Sequence, residues 1–311
     1  MSSMASLESY APQNHQRRLM WRKSRDRVIE FGLLLSGLVA VFVTLSIATI
    51  LVTESLPFFA KVSLKDFLTD TMWTPVFDNP HFGILPLVAG TLVTTMVALS
   101  LAIPCGTIIA IYLSEFASHR TREFIKPMLE LLGAVPTVVY GYFALLMVTP
   151  FLQKFIPNLP GFNMLGPGLV IGIMIIPYIA SLSEDAMRAV PKYMREGSYA
   201  MGATRFQTAT RVVVPGALSG MAAAYILGIS RAVGETMVVA VAAGLQPNLT
   251  WNPTESAATI TAFIVQVSLG DLPHNSIGYQ SIFAAGLVLM LLTLTFNIVG
   301  FVLTRRFREV Y

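Results

Sequence analysis

The sequence predicts an all-α membrane protein with six transmembrane helices, and two observations carry this prediction. Hydrophobic residues make up 54% of the 311 residues and charged residues only 12%, and the mean hydropathy is +0.66. A soluble domain carries roughly 25% charged residues. The apolar residues are also gathered in long uncharged stretches, and roughly 20 helical residues suffice to cross a hydrocarbon core about 30 Å thick.

Five stretches are uncharged and long enough for a span: 31–53, 82–114, 131–153, 155–183 and 281–304. The first is too long for a signal-peptide core and no small-residue cleavage site follows it, so we interpret it as a retained helix. The second exceeds one span, and Pro86 and Pro104 inside it predict a bent helix or an interfacial lead-in. A sixth stretch, about 215–244, qualifies if the two charges within it, Arg231 and Glu235, are accepted.

The basic residues alternate between successive loops and predict that both termini are cytoplasmic. Seventeen of the 21 Lys and Arg residues fall on the N-terminal arm, the second loop, the fourth loop and the tail. The opposite side carries only Lys61, Lys65 and Lys154. Loops rich in Lys and Arg remain in the cytoplasm, so the arm and the fourth loop are placed inside.

The predicted domain organisation follows from these loops. A basic cytoplasmic arm covers 1–27, and the six-helix transmembrane domain covers 28–311. Within that domain a cytoplasmic loop covers about 185–215. External loops cover about 54–82 and 245–280.

The chain carries none of the motifs of common enzymatic chemistry. It has no G-x-x-x-x-G-K-[ST] phosphate loop, no H-E-x-x-H and no nucleophile elbow. We therefore expect no catalytic residue and no ATP hydrolysis by this chain alone. The histidines are scattered over loops on both sides, which argues against a metal site, and the single cysteine, Cys105, excludes an intrachain disulfide.

The fourth loop carries the most specific motif of the sequence. Residues 196–215 read EGSYAMGATRFQTATRVVVP and resemble the cytoplasmic motif of ABC importer permeases, written E-A-A-x3-G-x9-I-x-L-P. The motif's positions are matched without an insertion by Glu196, Gly202, Val212, Val214 and Pro215. Gly197 and Ser198 replace the two alanines, and valines replace Ile and Leu, so small size and apolarity are kept.

A physical reason connects this loop with a partner protein. We expect a short helix over about 192–201 whose small residues, Gly197, Ser198 and Ala200, let it lie deep in a groove of the partner. Gly202 then allows a sharp turn, because glycine reaches backbone angles that side chains forbid. We expect Arg195 and Arg205 to pair with acidic groups of the partner. The alternative is an ordinary amphipathic surface loop.

Three further segments resemble the PstC family of phosphate transport system permeases: WTPVFDNPHFGILPLVAGTL, GAVPTVVYGYFAL and SRAVGETMVVAVAAG. The resemblance implies a type I ABC importer permease fold and a place in the bacterial inner membrane. It also implies four kinds of partner: phosphate, a PstA-like sister permease, two copies of a PstB-like cytoplasmic ATPase and a PstS-like external phosphate-binding protein. ATP and magnesium are expected on the ATPase and no cofactor on this chain, and no nucleic acid is expected as a partner.

Arg231 and Glu235 are the candidate substrate-pathway residues, since a charge at the centre of a spanning helix costs about 2.5 to 3.5 kcal/mol. Glu235 follows Arg231 at i+4, so a shared helical face and partial neutralisation are expected. A guanidinium presents paired donors that match phosphate oxygens, and the hydroxyls of Ser230 and Thr236 are expected to add contacts. The alternative is a purely structural buried ion pair.

Other functions stay open on the residues alone. A permease for sulfate or molybdate shares the cytoplasmic motif and a similar anion. An ATP-independent secondary anion transporter would also use an intramembrane arginine, but it would need no motif that docks an ATPase. A non-transporting membrane scaffold would need no charges facing a pore.

The last external loop predicts a short amphipathic helix. Asn252 is the expected cap, with Pro253 first in the helix. Ile260, Phe263, Ile264 and Val267 recur at helical spacing. This helix is a candidate gate or docking surface at the outer mouth, or simply a helix packed over the bundle.

Two further expectations concern aromatic and acidic residues outside the apolar stretches. Trp73 and Trp251 are expected to anchor the outer interface. Four acidic residues are expected to lie near span ends, to reach water and to have no role in the pathway: Glu115, Glu130, Glu184 and Asp185.

Overall fold

The computed structural model describes residues 11–306 except 76, 78, 271, 274 and 275, with side chains from residue 25. Most of this part of the chain is helical, with non-helical connections such as 154–164 and 243–259 and an isolated antiparallel bridge between Trp73 and Phe82. The chain forms two compact units, Met1–Thr53 and Glu54–Tyr311. The predicted all-α class is confirmed.

The helices follow one another with short connections. In chain order they are α1 (Ala11–Phe59), α2 (Leu64–Thr69), α3 (Leu85–Ile111), α4 (His119–Ala134), α5 (Thr137–Phe143), α6 (Thr149–Gln153), α7 (Leu165–Ala189), α8 (Lys192–Ala200), α9 (Arg205–Thr208), α10 (Val214–Gly216), α11 (Leu218–Val233), α12 (Met237–Ala242), α13 (Ile260–Ser268) and α14 (Ile277–Arg306). Three π-helical turns join them: Tyr112–Phe116 after α3, Ala144–Val148 between α5 and α6, and Ala209–Val213 between α9 and α10.

Four segments within the described residues are each long and apolar enough to cross a membrane as one helix. They are Arg25–Phe59, Leu85–Phe116, Leu165–Ala189 and Ile277–Arg306. Two bent pairs raise the number to six if each is one span: His119–Ala134 with Thr137–Gln153, bent by 87°, and Arg205–Gly216 with Leu218–Val233, bent by 72°. The predicted six spans are thus the upper count, and the orientation of the termini stays a prediction.

The centre of the second unit is built on the packing of α3 against α7. The two helices approach at their backbones, because a Cβ atom on Gly172 would lie 2.7 Å from the carbonyl oxygen of Ala98. On Gly168 it would lie 2.7 Å from Val97 Cγ1. Small residues let helices pack this closely in membranes, and the bundle around α7 holds the candidate site.

A cluster of aromatic rings covers the start of α3. Phe58, Phe67, Phe82 and Trp73 pack edge to face, and Trp73 also meets Phe263 of α13 at a centroid distance of 5.0 Å. Trp73 is only 1% exposed. The prediction that it anchors the outer interface is therefore wrong, because its ring fills a protein core.

The predicted helix of the last external loop is shorter than expected. It begins at Ile260, where Thr259 caps it by accepting a hydrogen bond from Ala262 N. Asn252 is not its cap, since its side chain accepts from Thr254 N and closes a turn. The predicted apolar positions are on the helix, with Phe263 and Val267 buried. This burial supports the packed-helix interpretation.

Candidate functional site

Arg231 lies in the last turn of α11, the end of a helix that favours a positive charge. Its guanidinium stacks on Tyr178 of α7, with Cζ 4.4 Å from the ring centroid, which is cation–π geometry. Its Nε is buried without a hydrogen-bond partner among the described residues. No carboxylate among the described residues forms an ion pair with it. The Nε donor is therefore free within the described residues.

Glu235 does not share a helical face with Arg231, and the predicted pairing of the two charges is wrong. Helix α11 ends at Val233, so Glu235 lies in a break before α12 and the i+4 relation does not hold. Its Oε1 accepts from the backbone N–H groups of Met237 and Val238, at 3.1 and 3.4 Å. The free N–H groups at the start of a helix attract a carboxylate.

The two predicted hydroxyl contacts are both engaged within the chain. Ser230 Oγ donates to Asn297 Oδ1 of α14 at 3.3 Å, and Thr236 Oγ1 donates to the carbonyl of Gly234 at 3.1 Å. Ser230 and Arg231 thus share a helical turn, whereas Thr236 lies in the break. Thr261 of α13 was not predicted to belong to the site, and its Oγ1 donates to the carbonyl of Glu235 at 2.7 Å.

The second candidate region is the loop that matches the cytoplasmic motif. The predicted helix is confirmed as α8, and the predicted turn is confirmed at Gly202, whose φ is +81°. Glu196, Gly197 and Ala200 are exposed, and a Cβ atom at Gly197 would meet nothing within 4 Å. These small residues leave free space on the outer side of the helix.

An open cavity of about 510 Å³ adjoins α8. It is lined by Met194, Gly197, Ser198, Met201, Gly202, Ala203, Gln207, Arg211 and Val212. Ser198 is half-buried, and its hydroxyl meets that of Thr208 at 2.9 Å, so it points into the chain.

Exposed apolar side chains that were not predicted from the sequence flank this cavity. Met201 is 88% exposed, Phe206 67% and Tyr193 63%. Large apolar residues in a polar, charged loop were the signal that could have identified them, because such patches mark interaction surfaces. We call α8, the turn at Gly202 and these three side chains the coupling surface.

Arg195 does not reach outward as expected. Its Nη2 lies 2.9 Å from Oε1 of Glu115, and the two side chains are 16% and 5% exposed. The carbonyls at the end of α7 also attract it, since the last carbonyls of a helix lack helical partners. Arg205 is exposed, so its pairing with a partner protein stays a prediction.

Two of the four acidic residues differ from expectation. Glu184 is fully buried between α4 and α7, where its carboxylate lies 2.7 Å from Arg122 Nε and 2.9 Å from Lys126 Nζ. The Glu115 side chain is 5% exposed and lies against Arg195. Both avoid water because cations neutralise them within the chain. No group of three or more potential ligands in the described ranges is arranged to hold a metal ion.

The sequence matches known membrane transport proteins. Residues 102–309 match the family described as "Binding-protein-dependent transport system inner membrane component". The chain is 36% identical over 235 residues to the probable ABC transporter permease protein YqgH of Bacillus subtilis, with 76% of each chain covered. It is 34% identical over 253 residues to the phosphate transport system permease protein PstC of Haemophilus influenzae, with 73% of this chain and 79% of that protein covered.

Solved structures share the fold. A chain of a bacterial ABC transporter involved in the import of alginate gives a TM-score of 0.63 at 15% identity, covering 93% of this chain and 99% of that one. A chain of the MetNI methionine ABC transporter gives 0.53 at 19% identity, covering 73% and 95%. These likenesses confirm the predicted ABC importer permease fold. With the sequence matches, they mean that the chain belongs to the family of binding-protein-dependent transport system inner membrane components.

Proposed function

We propose that this chain is a transmembrane subunit of an ATP-driven importer that moves inorganic phosphate across the bacterial inner membrane into the cytoplasm. The relatives named as phosphate permeases support the choice of anion. The single observation that carries the proposal is the environment of Arg231. Arg231 lies in the fifth predicted span, with an aromatic ring on one face and no carboxylate partner in the described chain.

This environment suits an oxyanion that must bind and leave. The guanidinium keeps its charge at physiological pH and offers two parallel donors to phosphate oxygens. Tyr178 restrains the group from one side without neutralising it. A carboxylate partner would compete with the anion, and here Glu235 is turned to the start of α12 instead.

The coupling surface is the proposed docking site for a separate ATPase subunit. Exposed Gly197 and Ala200 allow a close approach, and exposed Met201 and Phe206 supply apolar contact area. The chain itself carries no phosphate-loop sequence. ATP and magnesium would therefore be bound by two copies of the ATPase, while a sister permease completes the pathway.

An external binding protein is the proposed source of the anion. An alginate transporter has been solved in complex with a pentasaccharide-bound periplasmic protein, which supports this kind of partner for the family.

The test is phosphate uptake by the assembled complex in proteoliposomes, per complex, with the phosphate-loaded binding protein supplied outside. Arg231→Gln should abolish uptake. Arg231→Lys keeps the charge but loses the two-pronged geometry, so it should retain part of the rate. Arg120→Gln, at an exposed position of α4, is the matched control and should transport normally.

Two outcomes would overturn the proposal. Near-normal uptake by Arg231→Gln would remove the arginine from the pathway. Preferential transport of sulfate or molybdate by the unaltered complex would mean that the chain belongs to an importer, but that phosphate is not its main substrate.

A further inference from the structure

We propose that Glu115 is a positioning residue for transport: through Arg195 it fixes the coupling helix α8 to the ends of α3 and α7, so that these helices follow α8. The inference rests on the proposed function, because it requires that α8 docks an ATPase. It gives Arg195 a role inside the chain instead of at the partner's surface.

All three guanidinium nitrogens of Arg195 are engaged. Nη2 donates to Glu115 Oε1 at 2.9 Å and to the carbonyl of Met187 at 2.8 Å. Nη1 donates to the carbonyl of Val190 at 2.6 Å. Nε lies 3.3 Å from each carboxylate oxygen of Glu115. One side chain of α8 thus joins the π-helical turn after α3 to the last carbonyls of α7.

Burial makes this contact different from an ordinary surface ion pair. Glu115 is 5% exposed and Arg195 16%, whereas the pair His119 and Glu123, nearby along the chain, is 66% exposed or more on both sides. Exposed pairs contribute little because water and salt screen them. A planar guanidinium with its donors fixed by carboxylate and carbonyl oxygens has a defined geometry. It can therefore transmit a displacement.

The contact also connects with the helix that carries Arg231. Glu115 follows α3 directly, and Thr107 on α3 meets the Tyr225 hydroxyl of α11 at 2.7 Å. Helix α3 packs on α7 at the glycine contacts described above. A displacement of α8 therefore reaches α3 through Glu115 and the substrate-pathway helix α11 through Thr107. The π-helical turn itself is a type of element that recurs at functional sites.

A different role for the pair would be only to keep the loop folded. Breaking it would then lower the amount of complex, while each assembled complex would transport as before. If Glu115 instead positions α8, the loss of transport should remain when the rate is expressed per assembled complex. The decisive quantity is phosphate transported per ATP hydrolysed, measured on the purified, reconstituted complex.

The experiment compares Glu115→Gln, Arg195→Lys and the double variant with the unaltered complex. Each single variant should lower the amount of phosphate transported per ATP by about fivefold or more. A change of this size corresponds to the lower end of typical coupling free energies. The double variant should transport as much phosphate per ATP as the more impaired single variant, because both substitutions break the same contact. Glu123→Gln, which removes an exposed carboxylate, is the control and should leave the ratio unchanged.

These substitutions keep side-chain size, so assembly should survive. An unchanged ratio in both single variants would overturn the inference, as would effects that multiply in the double variant. Failure of the proposed function has a different signature: the unaltered complex itself would then not link ATP hydrolysis to phosphate uptake.

Discussion

At the scale of residues, the environment of Arg231 bears on how the fold tolerates a charge in a predicted span. A charge at the centre of a spanning helix costs about 2.5 to 3.5 kcal/mol. Contact with an aromatic face stabilises the charge by about 0.5 to 2 kcal/mol, and a position at a helix C-terminus stabilises it by about 0.3 to 1 kcal/mol. Together these two contacts offset much of the cost of placing the charge there, without an ion pair.

The first prediction separates the ring of Tyr178 from its hydroxyl group. Tyr178→Phe keeps the aromatic face beneath the guanidinium, so phosphate uptake per complex should stay close to normal. Tyr178→Leu removes a cation–π contact of about 0.5 to 2 kcal/mol, so uptake should fall by roughly two- to thirtyfold. Equal losses in both variants would mean that the hydroxyl matters and the ring face does not.

The second prediction follows from the separation of Arg231 and Glu235. Since the two charges have different partners, Arg231→Gln and Glu235→Gln should change the amount of assembled complex independently, and the effects should add. Quantitative immunoblotting of purified membranes measures this. Recovery of normal abundance in the double variant would instead indicate a buried ion pair.

The third prediction concerns Thr261, which joins the external helix α13 to the break. Thr261→Val keeps the shape but leaves the carbonyl of Glu235 without its hydrogen bond, at a cost of about 1 to 3 kcal/mol. The thermal midpoint of the detergent-solubilised complex should fall. Thr295→Val is the matched control, because that hydroxyl is exposed and bonds only to a carbonyl of its own helix.

At the scale of elements, the long apolar helices could be predicted and the breaks could not. Length and apolarity alone identify α3, α7 and α14, since only a helix satisfies every backbone group in a membrane. The break after Val233 lies inside one apolar stretch. The mean hydropathy of the whole stretch stays high, so it does not reveal the break. Gly234 followed by Glu235 was its available signal, as a helix stop next to an acidic start.

The candidate site was predictable to different extents in its two regions. The coupling surface follows from a contiguous motif, so α8 and Gly202 were found. The partners of Arg231, Glu235 and Arg195 come from elements distant in the sequence. Neither Tyr178 nor Glu115 has a local signal, because what brings them to the arginines is the packing of α7 and α3.

The fourth prediction tests the turn that ends α8. Gly202 has φ +81°, a conformation that costs other residues roughly 1 to 2 kcal/mol. Gly202→Leu should leave the helices inserted but weaken ATPase docking, so that ATP hydrolysis stimulated by the binding protein and phosphate uptake fall together. Gly161→Leu is the control, since Gly161 has free space and no positive φ. Normal transport by Gly202→Leu would mean that the turn tolerates a side chain.

At the scale of the whole molecule, the described contacts assign two groups of elements to opposite ends of α3. The coupling helix α8 contacts the C-terminal end of α3 through Glu115 and Arg195. Helix α13 contacts the N-terminal end of α3, where Ile260 N donates to Thr91 Oγ1 at 3.0 Å. If α3 spans the membrane, these two groups face different compartments. The distribution of basic residues then decides which compartment is the cytoplasm.

The fifth prediction tests this arrangement by labelling single cysteines in a Cys105→Ser background. Ser118 and Ala200 are exposed close to the coupling surface, and Asn248 is exposed in the last external loop. Cysteines at 118 and 200 should resist a membrane-impermeant thiol reagent in intact cells and, in cells that lack the ATPase subunit, react after permeabilisation. A cysteine at 248 should react in both. In intact cells, labelling of 118 and 200 without 248 would mean that the orientation is the reverse of the predicted one. Labelling of only one of 118 and 200 would contradict the structure, because Glu115 and Arg195 hold their helices at the same end of the bundle.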